Sequence, residues 1–231
     1  MGRLLAAVAA ALVLVGCTSS SGTPPTAVVP TQAPSTDTVP ADVPPSFDGA
    51  VAAANVPAAA LIPIGATVSD SWTTPAGDVK AVAWEYPGAD PFRQDRGVAV
   101  WHRYDDAGAA WRPVWGAEFS SKNENPVLGV DARFADVTGD GSADAVVFAS
   151  VGGSGGCGTT LVVDIAAAEQ VYRSQGCDRA IDPSSDPVGL RIREAVYASG
   201  DPHCCPSSFR ETVLVYEDGA WRTATSSVSP V

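Results

Sequence analysis

Only two lysines (Lys80, Lys122), two histidines (His102, His203) and one methionine occur in 231 residues. The shortage of basic side chains leaves 14 Lys and Arg against 26 Asp and Glu, a net charge of -12. Nucleic acid is therefore disfavoured as a partner, because phosphate backbones are gripped by clustered Lys and Arg. Direct adhesion of the folded part to anionic lipid is disfavoured for the same reason. Two histidines leave few places for imidazole acid–base chemistry. Long apolar runs are missing too: the longest, Leu4 to Val15, has twelve residues, against about 20 for a helix that crosses a bilayer. No motif for a nucleotide, flavin or haem is present.

That short apolar run opens what the chain does contain. Arg3 precedes it and Gly16 and Cys17 follow, the layout of an export signal over residues 1–16. Leu14, Val15, Gly16 and Cys17 resemble the bacterial lipobox. The resemblance implies that the Cys17 sulfur is lipidated and becomes the mature N-terminus, tethering the protein by its acyl chains to the outer face of the cell membrane. Two acyl chains anchor stably where one is marginal. Cleavage before Cys17 removes Arg3 and no acid, leaving 13 basic against 26 acidic side chains. From Thr18 to Ser46 there are seven Pro, six Thr and five Ser, with no aromatic, Lys or Arg. Such a stretch cannot bury enough apolar surface to fold, so residues 17–47 read as the lipidated cysteine and a disordered tether. The remainder, 48–231, is the size of a single extracytoplasmic domain.

A short helix is expected over 46–57, capped by Ser46 or Asp48 and ended by Pro57. Beyond it the pattern is that of strands. Segments 78–86, 97–105, 111–119, 128–135, 144–151, 159–165, 170–176, 188–198, 209–217 and 220–225 are rich in Val, Trp, Tyr and Thr and are separated by turn residues. Asp218-Gly219 is a strong hairpin signal. The fold expected is mainly β, with antiparallel meanders forming a sandwich or a partial propeller.

Setting Cys17 aside leaves Cys157, Cys177, Cys204 and Cys205, an even number that suits disulfides in an oxidising compartment. Three pairings are possible. The stretch from Cys157 to Cys177 reads as a hairpin centred on Ala167, which places these two cysteines opposite one another. Cys204 would then pair with Cys205, a strained arrangement.

The stretch that looks most like chemistry is "ADVTGDGSADAVVF", residues 135–148. Asp136, Thr138, Asp140, Ser142 and Asp144 stand at alternating positions around Gly141, the order of hard oxygens that calcium takes from EF-hand loops. Val147 stands where an EF-hand needs its bidentate Glu, and both flanks are strands, so it is not an EF-hand. It resembles the calcium-type loop of FG-GAP and VCBS repeats in integrin-like β-propellers, which implies calcium as a structural ion. Thr138 replaces the usual Asn or Asp, and only one copy is found. The plain alternative is an Asp-Gly turn whose acids cap the loop.

"GDPHCCPSSF", residues 200–209, followed by "FRETVLVYEDGAWR", resembles the C-terminal region of actinobacterial LppP/LprE-type lipoproteins, which implies location more than activity. "GGSGG" around Ser154 matches the form of a nucleophile elbow, but the segment after it is strand-like where an elbow needs a helix. Trp72, Trp84, Trp101, Trp111 and Trp115 fall close together and read as core anchors, with a sugar-stacking platform as the alternative. The expectation is a non-enzymatic, lipid-anchored binding or adaptor module. Its partner would be an envelope protein or a glycan. The alternatives are a structural spacer and, less favoured, an envelope hydrolase built on Ser154 or His203.

Overall fold

A computed structural model describes residues 57–231 apart from 89, 91, 105–109, 124 and 153–155. The lipobox-like cysteine, the tether and all of the expected helix except Pro57 lie outside the described residues. A single 3-10 turn, Ala58–Ala60, follows Pro57.

Among the described residues twelve strands form three consecutive four-stranded meanders, and within each sheet every strand pairs antiparallel with its neighbours in sequence. The first sheet is β1 (Thr67–Thr73), β2 (Val79–Glu85), β3 (Arg96–Arg103) and β4 (Trp111–Phe119). The second is β5 (Gly129–Ala135), β6 (Asp144–Gly152), β7 (Cys157–Asp164) and β8 (Glu169–Gly176). The third is β9 (Arg179–Ser185), β10 (Val188–Val196), β11 (Ser208–Glu217) and β12 (Ala220–Pro230). The expected mainly-β, sandwich-like architecture is what forms.

Alternation along the strands sends successive side chains to opposite faces; the inner strands of the first two sheets are buried on both, whereas β10 buries Leu190 and Ile192 and exposes Arg191 and Arg193, so the third sheet has one face to cover. Val79, Ala81, Val98 and Val100 of the first sheet pack against Ala145, Val147, Leu161 and Val163 of the second. The opposite face of the first sheet, carrying Val82, Trp84, Ala99, Trp101 and Trp111, is closed by Leu61 with Ala58, Ile62 and Ala66 around it. Trp101 Nε1–H donates to the Leu61 carbonyl at 3.1 Å, pinning that cover. The second sheet sends Val146 and Val162 the other way, to Leu190, Ile181, Leu214 and Trp221 of the third. The layers are thus the 58–66 segment, then the first, second and third sheets, with the second covered on both sides.

The tryptophans are core anchors. Trp84, Trp101 and Trp111 are fully buried, and Trp72 and Trp115 pack against the core between the first two sheets. Each buried indole removes about 150–250 Å² from water, on the order of 4–6 kcal/mol before ordering costs. Trp221 ties the third sheet to the second: its Nε1–H donates to the Val171 carbonyl at 2.8 Å, and its ring meets Tyr172 edge-on, centroids 5.5 Å apart. The Arg133–Asp182 ion pair joins the same two sheets at the surface. In the first sheet the buried Arg96 donates to the Val127 carbonyl at 2.6 Å and lies 3.3 Å from Glu85, which satisfies a charge the interior would otherwise penalise.

Candidate functional site

The 136–144 loop joins β5 to β6, with Ala135 and Asp144 the last paired residues of the hairpin. Gly139 and Gly141 sit at φ +81° and +85°, the left-handed region open to glycine, and let the chain turn twice within nine residues. The acidic side chains organise the turn from inside. Asp136 accepts from the Gly139 N–H at 2.7 Å and the Gly141 N–H at 3.0 Å, and Asp140 accepts from the Ser142 N–H at 2.7 Å. Asp144 Oδ2 accepts from the Val137 and Thr138 N–H groups, both at 2.8 Å. Val137 is itself buried against Leu190 of β10, so the loop is packed into the interface between the second and third sheets.

Two oxygens there are left over. Asp144 is fully buried, and its Oδ1 has no hydrogen-bond partner. The Thr138 hydroxyl oxygen is buried beside that carboxyl, also outside hydrogen-bond geometry. Burial pushes the Asp144 carboxyl from its ordinary 3.8 up to about 6, and the nearby Asp164 charge adds to the rise, against the opposing pull of the Val137 and Thr138 donors. A buried carboxylate oxygen without a donor is costly. A divalent cation would relieve it, and so would a proton.

The set fits a hard cation by type, with carboxylates from Asp136, Asp140 and Asp144 and hydroxyls from Thr138 and Ser142. Among the described residues, however, no three His, Cys, Asp or Glu side chains converge as a metal site. A cation here would therefore draw on hydroxyl and backbone carbonyl oxygens as much as on carboxylates. Without a cation, the raised Asp144 value fixes the sign of a pH effect. The folded state binds this proton more tightly than the unfolded chain, so stability is greatest below about 3.8 and falls as pH rises through about 6. Thermal melts in chelator across that window should show this decline, and Asp144→Asn should flatten it.

The remaining candidates are scattered. Cys157 and Cys177 are bonded across β7 and β8, whose register pairs Gly158 with Gly176, as the symmetry about Ala167 requires. Cys204 and Cys205 are exposed and unbonded. His102 lies in β3 of the first sheet, its ring 4.4 Å from Tyr104, with a buried Nδ1 that has no partner. His203 lies in the loop between β10 and β11, with Nδ1 3.9 Å from Asp178. The two histidines thus belong to different sheets, and Ser154 lies outside the described residues. Asp178, Asp201 and Tyr197, which surround the cysteine pair, carried no signal in the sequence beyond their turn-forming neighbours. No protein-family model matches the chain, and no curated protein gives a significant match.

Proposed function

We propose that this chain is an exported, lipid-anchored, non-catalytic β module of the cell envelope that presents its surface to an envelope protein or glycan. We further propose that one calcium at the 136–144 loop stiffens it. Support for anchoring comes from Leu14-Val15-Gly16-Cys17 behind a twelve-residue apolar run, with a Pro/Thr/Ser stretch after it. Labelled palmitate should enter the expressed product, and Cys17→Ser should abolish incorporation. A cytosolic, unlabelled product would defeat the anchoring.

The observation that supports the calcium is the fully buried Asp144 carboxylate, whose Oδ1 has no partner within hydrogen-bond geometry and only the Thr138 hydroxyl beside it, within a loop of hard oxygens. Calcium would supply charge there, neutralising Asp144 and pinning the loop against β10. Its role would be structural, because the loop's carboxylates are spent on ordering the loop's own backbone. At about a hundredfold excess over Kd a single site adds about 2.7 kcal/mol, which is about 5–10 °C in Tm for a domain of this size. Calcium should give that gain at pH 7 and lose it as pH falls below about 6 and Asp144 takes up its proton, while magnesium, which demands tighter octahedral geometry, should not replace it. Asp144→Asn and Asp140→Ala should each remove the gain. If the Thr138 hydroxyl satisfies Asp144 unaided, calcium will leave Tm unchanged and this part of the reading is wrong.

A further inference from the structure

The loop between β10 and β11 carries a cysteine pair that neither the core nor the 136–144 loop uses. Cys204 and Cys205 are both exposed and unbonded, and their sulfurs stand 2.9 Å apart. The backbone beneath them is fixed from several sides. Asp201 accepts from the Ala198 N–H at 2.7 Å, from the Ser207 N–H at 2.9 Å and from the Ser207 hydroxyl, so one carboxylate staples the two ends of the loop together. Within the staple, the Cys205 N–H donates to the Pro202 carbonyl at 2.9 Å, closing a tight turn. The Tyr197 hydroxyl donates to the His203 carbonyl at 2.8 Å. Pro202 and Pro206 bracket the segment and remove two backbone freedoms. The loop is thus shaped before any sulfur–sulfur bond exists. Small side-chain rotations, with local adjustment of the turn, would bring the sulfurs to bonding distance, about 2.05 Å.

We infer that Cys204 and Cys205 are an exposed dithiol that exchanges with external disulfides, closing to a vicinal disulfide and reopening, while Cys157–Cys177 stays shut. The chemistry balances without any further oxidant. The Cys204 thiolate attacks one sulfur of an external disulfide, forms a mixed disulfide and expels one thiolate. Cys205 loses its proton to solvent and attacks the Cys204 sulfur, expelling the second thiolate. The dithiol has been oxidised by two electrons, the external disulfide has been reduced to two thiols, and the two cysteine protons end on those products. The hydrogen bond that Cys205 shares with the Cys204 sulfur, followed by the repulsion between their charges, raises the Cys205 thiol above its ordinary value. The scheme holds equally with the two sulfurs exchanged: either can form the mixed disulfide, and its neighbour 2.9 Å away resolves it.

The reverse step is favoured by geometry of a general kind. Adjacent α-carbons lie about 3.8 Å apart, shorter than the range of about 4.4–6.8 Å that disulfides prefer, so the closed vicinal bond is strained. Strained and exposed disulfides are the oxidising, labile ones. Cys157–Cys177 differs in setting: it closes a hairpin whose two strands are paired along their length and whose inner residues belong to the core. The difference between the pairs lies in this closed, paired hairpin and not in access, since Cys177 is also exposed.

The test uses the full chain equilibrated in glutathione buffers of graded oxidised-to-reduced ratio, quenched in acid, alkylated and mapped by peptide mass. Cys204 and Cys205 should pass together from two alkylated thiols to none in a single two-electron step, with Cys157–Cys177 bonded throughout. In Cys204→Ser, Cys205 should retain one glutathione, because no neighbour remains to resolve it. The inference is overturned if the natural pair keeps both thiols at the most oxidising ratio or stops at a lasting single adduct. It is also overturned if the pair converts in step with Cys157–Cys177.

Discussion

Gly97→Ala should lower the stability of the fold by about 1–3 kcal/mol, although it adds one methyl group to a strand. The cause is the Trp84 indole, which lies over its cross-strand partner Gly97. A Cβ at position 97 would stand 2.3 Å from Trp84 Cζ2 and 2.9 Å from the Ala117 carbonyl oxygen. Trp84 is fully buried between the first sheet and Leu61 and has no room to retreat. Trp84→Ala should cost more, about 3–5 kcal/mol. The two together should cost less than their sum, because removing the indole opens the space the new methyl needs. Urea denaturation of the two single variants and the double variant measures this coupling. Strict additivity would show that the glycine is not there for the tryptophan.

Gly189→Ala should be the harsher glycine substitution, and its damage should be regional. A Cβ at Gly189 would lie 1.9 Å from the Leu214 carbonyl oxygen, a backbone atom of the neighbouring strand that cannot swing aside as a side chain can. Relief requires β10 and β11 to separate locally. We expect a loss at the upper end of the overpacking range, about 3 kcal/mol or more. Amide hydrogen exchange should accelerate in β9, β10 and β11 while the central amides of β2 and β3 keep their protection. Exchange that accelerates equally in all three sheets would mean that the third sheet has no separate opening.

Both predictions depend on close backbone approaches that the sequence does not display, which marks where sequence reading ends for this chain. The strands with continuous Val, Trp and Ala, such as β2 and β3, were legible because their burial on both faces forces an apolar run. Asp218-Gly219 was legible because both residues take positive φ, +52° and +77°, as a tight hairpin turn demands. Two strands escaped. β1, "TVSDSWT", lies at a sheet edge with most of its side chains exposed, so nothing selects for apolar alternation. β9 contains Pro183, a residue that argues against a strand except at an edge, and an edge is where it lies. β12 runs to Pro230, five residues past the expected end, because its exposed Thr and Ser carry no burial signal.

The candidate loop divides in the same way. Asp136, Gly139 and Gly141 were readable as turn chemistry, and the structure gives them the roles such residues have in tight loops. The distinction between Asp140, exposed and internally bonded, and Asp144, fully buried with one oxygen orphaned, was not readable. It depends on the third sheet lying against Val137, a contact between residues more than fifty positions apart.

The outer edge of β12 carries a consequence for crowded copies of this protein. Along this eleven-residue strand alternate residues point unpaired backbone N–H and C=O away from β11, a template onto which a second copy's edge could zip. The irregular pairing at Val213/Leu214, opposite Thr223 and Thr225, interrupts the ribbon near its middle and Pro230 withholds a donor at its end, while the hydroxyl-rich side chains stay wetted. The molecule thus tolerates a long open margin by keeping it kinked and hydrophilic, and swapping those serines and threonines for valine or isoleucine would favour edge-to-edge growth between copies.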